Sequence, residues 1–227
     1  MKPGLWTKLC SYLCDMSLEK VESNFSGPLE LVLRNNRYAL CTQNAVYSYD
    51  DLYHNFRLAF QQISIDQLAV QKVLVLGLGL GSIPFMLENK FNQDYHYTLV
   101  EIDPVIIDLA QKYRLKYLSS TFEVIESDAF EFVKWNKDKY DLIAVDIFID
   151  DAVPVAFEQL QFLKNVKLLM HTDAILLFNR LAYNEAHLLK TNDFFNKIFL
   201  KVFEEGNMLS VLSNRMLTNR RSFEPEQ

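Results

Sequence analysis

Gly77, Gly79 and Gly81 punctuate the string VLVLGLGLGS, and roughly twenty residues on, LVEIDP brings Glu101 and Asp103. Glycine lets a backbone turn sharply and approach a ligand closely. A helix beginning just after such a loop offers unpaired N–H groups and a positive dipole end. A carboxylate at the end of the next strand can accept hydrogen bonds from ribose hydroxyls. Together these residues describe a nucleoside pocket, with all five as cofactor-binding positions. A lone GxGxG string is weak, because any strand-to-helix corner favours glycine. Glu101 strengthens it: the apolar run ending there lies where ligands of open α/β sheets bind.

Asp128 lies in VIESDAFEF. Its carboxylate can accept from an adenine amine, with Ala129 beside the ring. It also suits a helix N-cap, and the two roles are compatible. Asp146 ends the apolar run of YDLIAVDIFIDDAVP, with Asp150 and Asp151 close behind. Three carboxylates at the mouth of a parallel sheet suit a cationic or amine ligand, and one could orient or deprotonate a nucleophile. For Asp150 and Asp151, helix capping or solvent exposure is an equal reading. For Asp146, function is favoured. Tyr47, Tyr49 and Tyr53 in NAVYSYDDLYHNF either wall the pocket or pack in the core. His54 is isolated, which favours a structural role. No metal spacing and no Ser-His-Asp or Cys-His pattern is visible.

The chain has 227 residues, half of them apolar, and a formal charge of −6 with pI about 5.3. That balance argues against a nucleic-acid partner and is compatible with an amine. Three cysteines without metal spacing suggest reduced thiols and a cytoplasmic setting. No run reaches the ~18 apolar residues of a membrane span, and no secretory leader pattern is visible. Leu5, Leu9, Leu13 and Met16 fall near helical spacing, so residues 1–17 are expected to hold an amphipathic helix, packed on its own fold or on a partner subunit in a homodimer.

Residues 18–62 read as a small β unit followed by a first helix from Asp50 to Gln62. From 63 to 214, apolar strands alternate with helical patterns. The strands are Val73–Leu76, Tyr97–Glu101, Phe122–Ile125, Asp141–Val145 and Ala174–Asn179. Lys201–Glu204 and Met208–Ser213 then suggest a hairpin around Glu205-Gly206-Asn207. Residues 215–227 read as a polar, loose tail. The expected fold class is α/β: a Rossmann-like class I methyltransferase fold with a mostly parallel seven-stranded sheet, a C-terminal antiparallel hairpin and a small N-terminal β unit.

Over about residues 30–180 the chain resembles the spermidine synthase (aminopropyltransferase) family of the S-adenosylmethionine-dependent methyltransferase superfamily. LVEIDPVII is similar to the family's acidic motif after its second strand. ESDAFEFVKWNKDKYDLIAVD is similar to the segment running into its catalytic aspartate. CTQNAVYSYDDLYHN is similar to the segment before its first long helix. The resemblance implies Glu101 on the ribose, Asp128 near adenine, and Asp146 and Tyr49 as catalytic residues. It leaves Asp150, Asp151 and Tyr47 as substrate-binding positions. The family's GGGDG loop reads GLGLG here, with Leu80 at the acidic position, and Leu40 replaces a glutamine. On that ground methyl transfer from S-adenosylmethionine to a small-molecule acceptor, such as an amine, is the first expectation. Aminopropyl transfer from decarboxylated S-adenosylmethionine is the second. An NAD-binding oxidoreductase and a non-catalytic nucleoside-binding module are rivals.

Overall fold

The computed structural model describes residues 3–43, 45–149 and 152–223. A short helix α1 (Leu5–Cys10) precedes a four-stranded antiparallel sheet of β1 (Met16–Ser23), β2 (Gly27–Arg34), β3 (Arg37–Cys41) and β4 (Val46–Ser48). A 3₁₀ turn at Asp50–Leu52 leads into α2 (His54–Gln62). The βα units follow as β5 (Lys72–Leu76), α3 (Ser82–Phe91), β6 (His96–Glu101), α4 (Pro104–Tyr113), β7 (Thr121–Glu126), α5 (Ala129–Trp135), β8 (Tyr140–Val145), α6 (Leu160–Leu168), β9 (Met170–Leu181) and α7 (Glu185–Lys197). The hairpin β10 (Asn207–Val211) and β11 (Asn214–Thr218) closes the fold. The seven-stranded sheet runs β10-β11-β9-β8-β5-β6-β7; β5 to β9 are parallel and β11 lies antiparallel to both its neighbours.

Side chains alternate between the two faces of this sheet, so one strand feeds two cores. Val73 and Val75 of β5 pack with Phe56 and Phe60 of α2 and Met86 of α3. Leu74 and Leu76 face Phe132 of α5 and Phe162 of α6. A third cluster joins the small sheet to the larger one: Leu29, Leu31, Leu33 and Leu40 meet Leu80 of the glycine loop and Ile106 and Leu109 of α4.

Three expectations are corrected here. The N-terminal helix ends at Cys10, and Met16 opens a strand rather than continuing the helix; Leu5, Leu9 and Leu13 remain exposed. The helix expected over Asp50–Gln62 is broken at Tyr53 (φ −73°, ψ 80°). The closing hairpin is shifted: its two-residue turn is Leu212-Ser213, and Asn214–Thr218 is an internal strand with Met216, Leu217 and Thr218 buried, so the polar tail starts later than residue 215. Gly206 instead sits at a backbone crossing, where a Cβ would meet the Phe203 carbonyl oxygen at 2.8 Å. Among the described residues no helix is long and apolar enough to cross a membrane.

Candidate active site

A cavity of about 670 Å³ opens at the C-terminal ends of the parallel strands. The sheet explains its position: loops after β5, β6, β7 and β8 diverge there, with β6 and β8 each bringing a carboxylate, Glu101 and Asp146, directly after an apolar run. Gly77 and Gly79, Glu101, Asp128 and Ala129, and Asp146 all line it.

Gly77 (φ +92°) is demanded by close packing: a Cβ would stand 2.2 Å from the Asp146 carbonyl oxygen. Its glycine therefore lets β5 and β8 end side by side, which sets the Asp146 side chain over the cavity. At Gly79 (φ +51°) a Cβ would stand 3.1 Å from the Tyr47 carbonyl oxygen, so the loop lies tight against β4. Gly81 begins α3 away from the cavity.

Glu101 anchors this loop. Its Oε2 accepts from the Leu78 and Gly79 N–H groups at 3.1 and 3.3 Å, and its Oε1 from those of Ile102 and Asp103 at 2.9 and 3.2 Å. Burial pushes its carboxyl above the usual range, while the Asp103, Gly79 and Ile102 N–H groups pull the other way. Asp128 caps α5 through the Phe130 N–H (2.7 Å) and also lines the cavity.

Asp103 does not line the cavity. Its Oδ1 caps α4 at the Val105 N–H (3.0 Å), and its Oδ2 accepts from the Ser23 and Ser26 hydroxyls at 2.5 and 2.7 Å. It clips the small sheet to the larger domain, and the cofactor-binding expectation for it is withdrawn. Tyr49 is also displaced: its hydroxyl accepts from Asn35 Nδ2 at 3.0 Å, and it is absent from the cavity wall. Asp50 (φ 43°) turns the chain there, buried and paired with Arg114, with its Oδ2 accepting the Tyr38 N–H. The next residue to reach the site is Tyr53. Tyr47 lines the cavity. Asp150 and Asp151 lie outside the described residues.

Among the described residues, three groups act on the Asp146 carboxylate. Asn179 Nδ2 donates to its Oδ1 at 2.8 Å, the Tyr53 hydroxyl hydrogen-bonds to it, and Glu101 adds like charge. Burial dominates and pushes the Asp146 carboxyl up to about 6. Burial likewise holds the Tyr53 phenol well above its usual range, so it stays protonated and can donate. Asn179 Oδ1 accepts from Asn214 Nδ2 at 2.8 Å. Asn179 and Asn214 were not singled out from the sequence. Asn179 had a usable signal: it interrupts the apolar run AILLF at a strand's ligand edge, as Asp146 and Glu101 do.

The sheet order defines a Rossmann-like fold of the class I methyltransferase type. The spermine/spermidine synthase domain matches residues 58–207, and the chain belongs to that family. A polyamine aminopropyltransferase from Vibrio vulnificus is 29% identical over 120 residues, covering 52% of this chain and 40% of that protein. The chain thus matches less than half the length of this relative. A probable spermidine synthase from Corynebacterium glutamicum superposes with a TM-score of 0.71 at 14% identity, covering 88% of this chain and 78% of the other. Human methyltransferase-like protein 13, solved with SAH, superposes at 0.59 with 22% identity, covering 77% and 83%. These structural likenesses speak to the fold.

Proposed function

We propose that this chain is an adenosyl-sulfonium-dependent transferase that moves an aminopropyl group from decarboxylated S-adenosylmethionine to an amine. The observation carrying this reading is one cavity lined by Glu101 and Asp128 on one side and Asp146 on the other. The family and the name of the Vibrio relative favour the aminopropyl reading over methyl transfer, reversing the order expected from the sequence. The amine acceptor, a cytoplasmic setting and a homodimer belong to this proposal.

The donor set fits an adenosyl group. Gly79 leaves bare backbone, Asp128 and Ala129 suit the base, and Glu101 suits a ribose diol, which would compete with its two longest N–H bonds, those of Gly79 and Asp103. A bound sulfonium donor is itself electrophilic. The chain's task is therefore alignment and proton handling. Asp146 as carboxylate can accept an N–H of the acceptor and take its proton. Tyr53 and Asn179 hold that carboxylate in place. The catalytic assignment becomes Asp146 with Tyr53, replacing Tyr49.

One observation keeps methyl transfer as a second reading. Leu80 is fully buried, so the loop offers no carboxylate to the ammonium of a decarboxylated donor tail. Calorimetric titration with S-adenosylmethionine, its decarboxylated form, methylthioadenosine and NAD tests the whole reading. The decarboxylated form and methylthioadenosine are expected to bind. Preference for S-adenosylmethionine would favour methyl transfer, and binding of NAD alone would sink both.

A further inference from the structure

Asn214 opens β11, directly after the Leu212-Ser213 turn, and donates to Asn179 Oδ1; Asn179 in turn donates to Asp146 Oδ1. An asparagine amide has nearly the same shape in its two flipped orientations, but opposite chemistry at each end. Flipped, Asn179 would present an oxygen to the carboxylate and repel it. The donor that selects the productive orientation is the Asn214 amide.

We propose that Asn214 is a positioning residue that acts through Asn179 on Asp146, so that the closing hairpin sets the readiness of the base facing the acceptor. The proposal rests on Asp146 being that base. Among the described residues, the other titratable groups near it are Tyr53 from the start of α2 and Glu101 from the end of β6, with His54, Tyr47, Asp128 and Tyr183 elsewhere on the same cavity wall. Arg180, next to Asn179, pairs instead with Glu158 and stacks on Phe194.

The test follows the Asp146 carboxyl carbon by ¹³C NMR through a pH titration of the whole chain, without substrate. Asn179→Leu removes a donor to a charged acceptor and should raise the titration midpoint by about one to two pH units. Asn214→Leu leaves Asp146 untouched but releases Asn179, and should raise it by roughly half a unit or more. In Asn179→Leu/Asn214→Leu the midpoint should match that of Asn179→Leu alone. An unchanged midpoint in Asn214→Leu would overturn the proposal, as would its full shift persisting in the double variant. If the leucine variant fails to fold, Asn214→Ala, which also removes the donor, serves in both backgrounds under the same criteria. Because the readout needs no turnover, an inactive wild type would count against the transferase reading alone and leave this coupling measurable.

Discussion

Leu80 of the glycine loop and Leu40 of the small sheet are fully buried in the same apolar cluster. The two departures from the family's polar pattern are thus one packing event. Each side chain contributes roughly 1.5–3 kcal/mol by leaving water, and together they fasten the small sheet onto the loop that shapes the cavity. Restoring the family's residue by Leu80→Asp should therefore place a carboxylate in apolar surroundings and cost about 3–5 kcal/mol, read by urea unfolding. Unchanged stability with tighter binding of decarboxylated S-adenosylmethionine would show that position 80 reaches the cavity.

Tyr53→Phe keeps the ring and removes the donor to Asp146. Turnover should fall by about tenfold or more, the loss for one hydrogen bond to a charged group, with the fold retained by circular dichroism. Tyr49→Phe, which removes only a contact with Asn35, should leave turnover near wild type. The reverse ranking would restore Tyr49 to the site.

The difference between those tyrosines marks where the sequence stops being legible. Glu101, Asp128 and Asp146 each end or follow an apolar β run, so alternation alone places them at the ligand edge. Which of three closely spaced tyrosines reaches Asp146 depends on the left-handed turn at Asp50, held by Arg114 sixty-four residues away. Asn214 was hidden for a related reason. The hairpin turn puts Leu212 at φ 57° and lacks the Asn-Gly or Asp-Gly signature, whereas Glu205-Gly206-Asn207 imitates one. From sequence, residues 215–218 therefore read as the start of the polar tail, although they complete β11.

Glu101 and Asp103 should separate by phenotype. Glu101→Gln replaces an acceptor oxygen with an amide donor facing backbone N–H groups, and should weaken methylthioadenosine binding by tenfold or more, by calorimetry. Asp103→Ala should instead lower stability by about 1–3 kcal/mol through the lost cap and serine contacts, with nucleoside affinity changed little. Equal losses of affinity in both would return Asp103 to the binding site.

The raised carboxyl of Asp146 has a stability signature. The folded form holds its proton up to about pH 6, against an ordinary value of 3.8. The folded state therefore binds the proton more tightly than the unfolded chain. That contribution is fully present below about pH 4 and is lost as pH rises through about 6, amounting to about 3 kcal/mol. Asp146→Asn cannot titrate, so its stability relative to wild type should rise between pH 4 and 7 in paired urea unfolding series. Parallel pH profiles for the two proteins would mean that Asp146 is not held in a proton-retaining environment.

The most direct measurement incubates the wild-type chain and Asp146→Asn with decarboxylated S-adenosylmethionine and putrescine, and follows methylthioadenosine and the aminopropylated amine by mass spectrometry. Wild type is expected to form both in equal amounts. Asp146→Asn is expected to fall by about 10²-fold or more while still binding methylthioadenosine. Absence of both products from folded wild type across a panel of amines, or full activity in folded Asp146→Asn, would contradict the assignment.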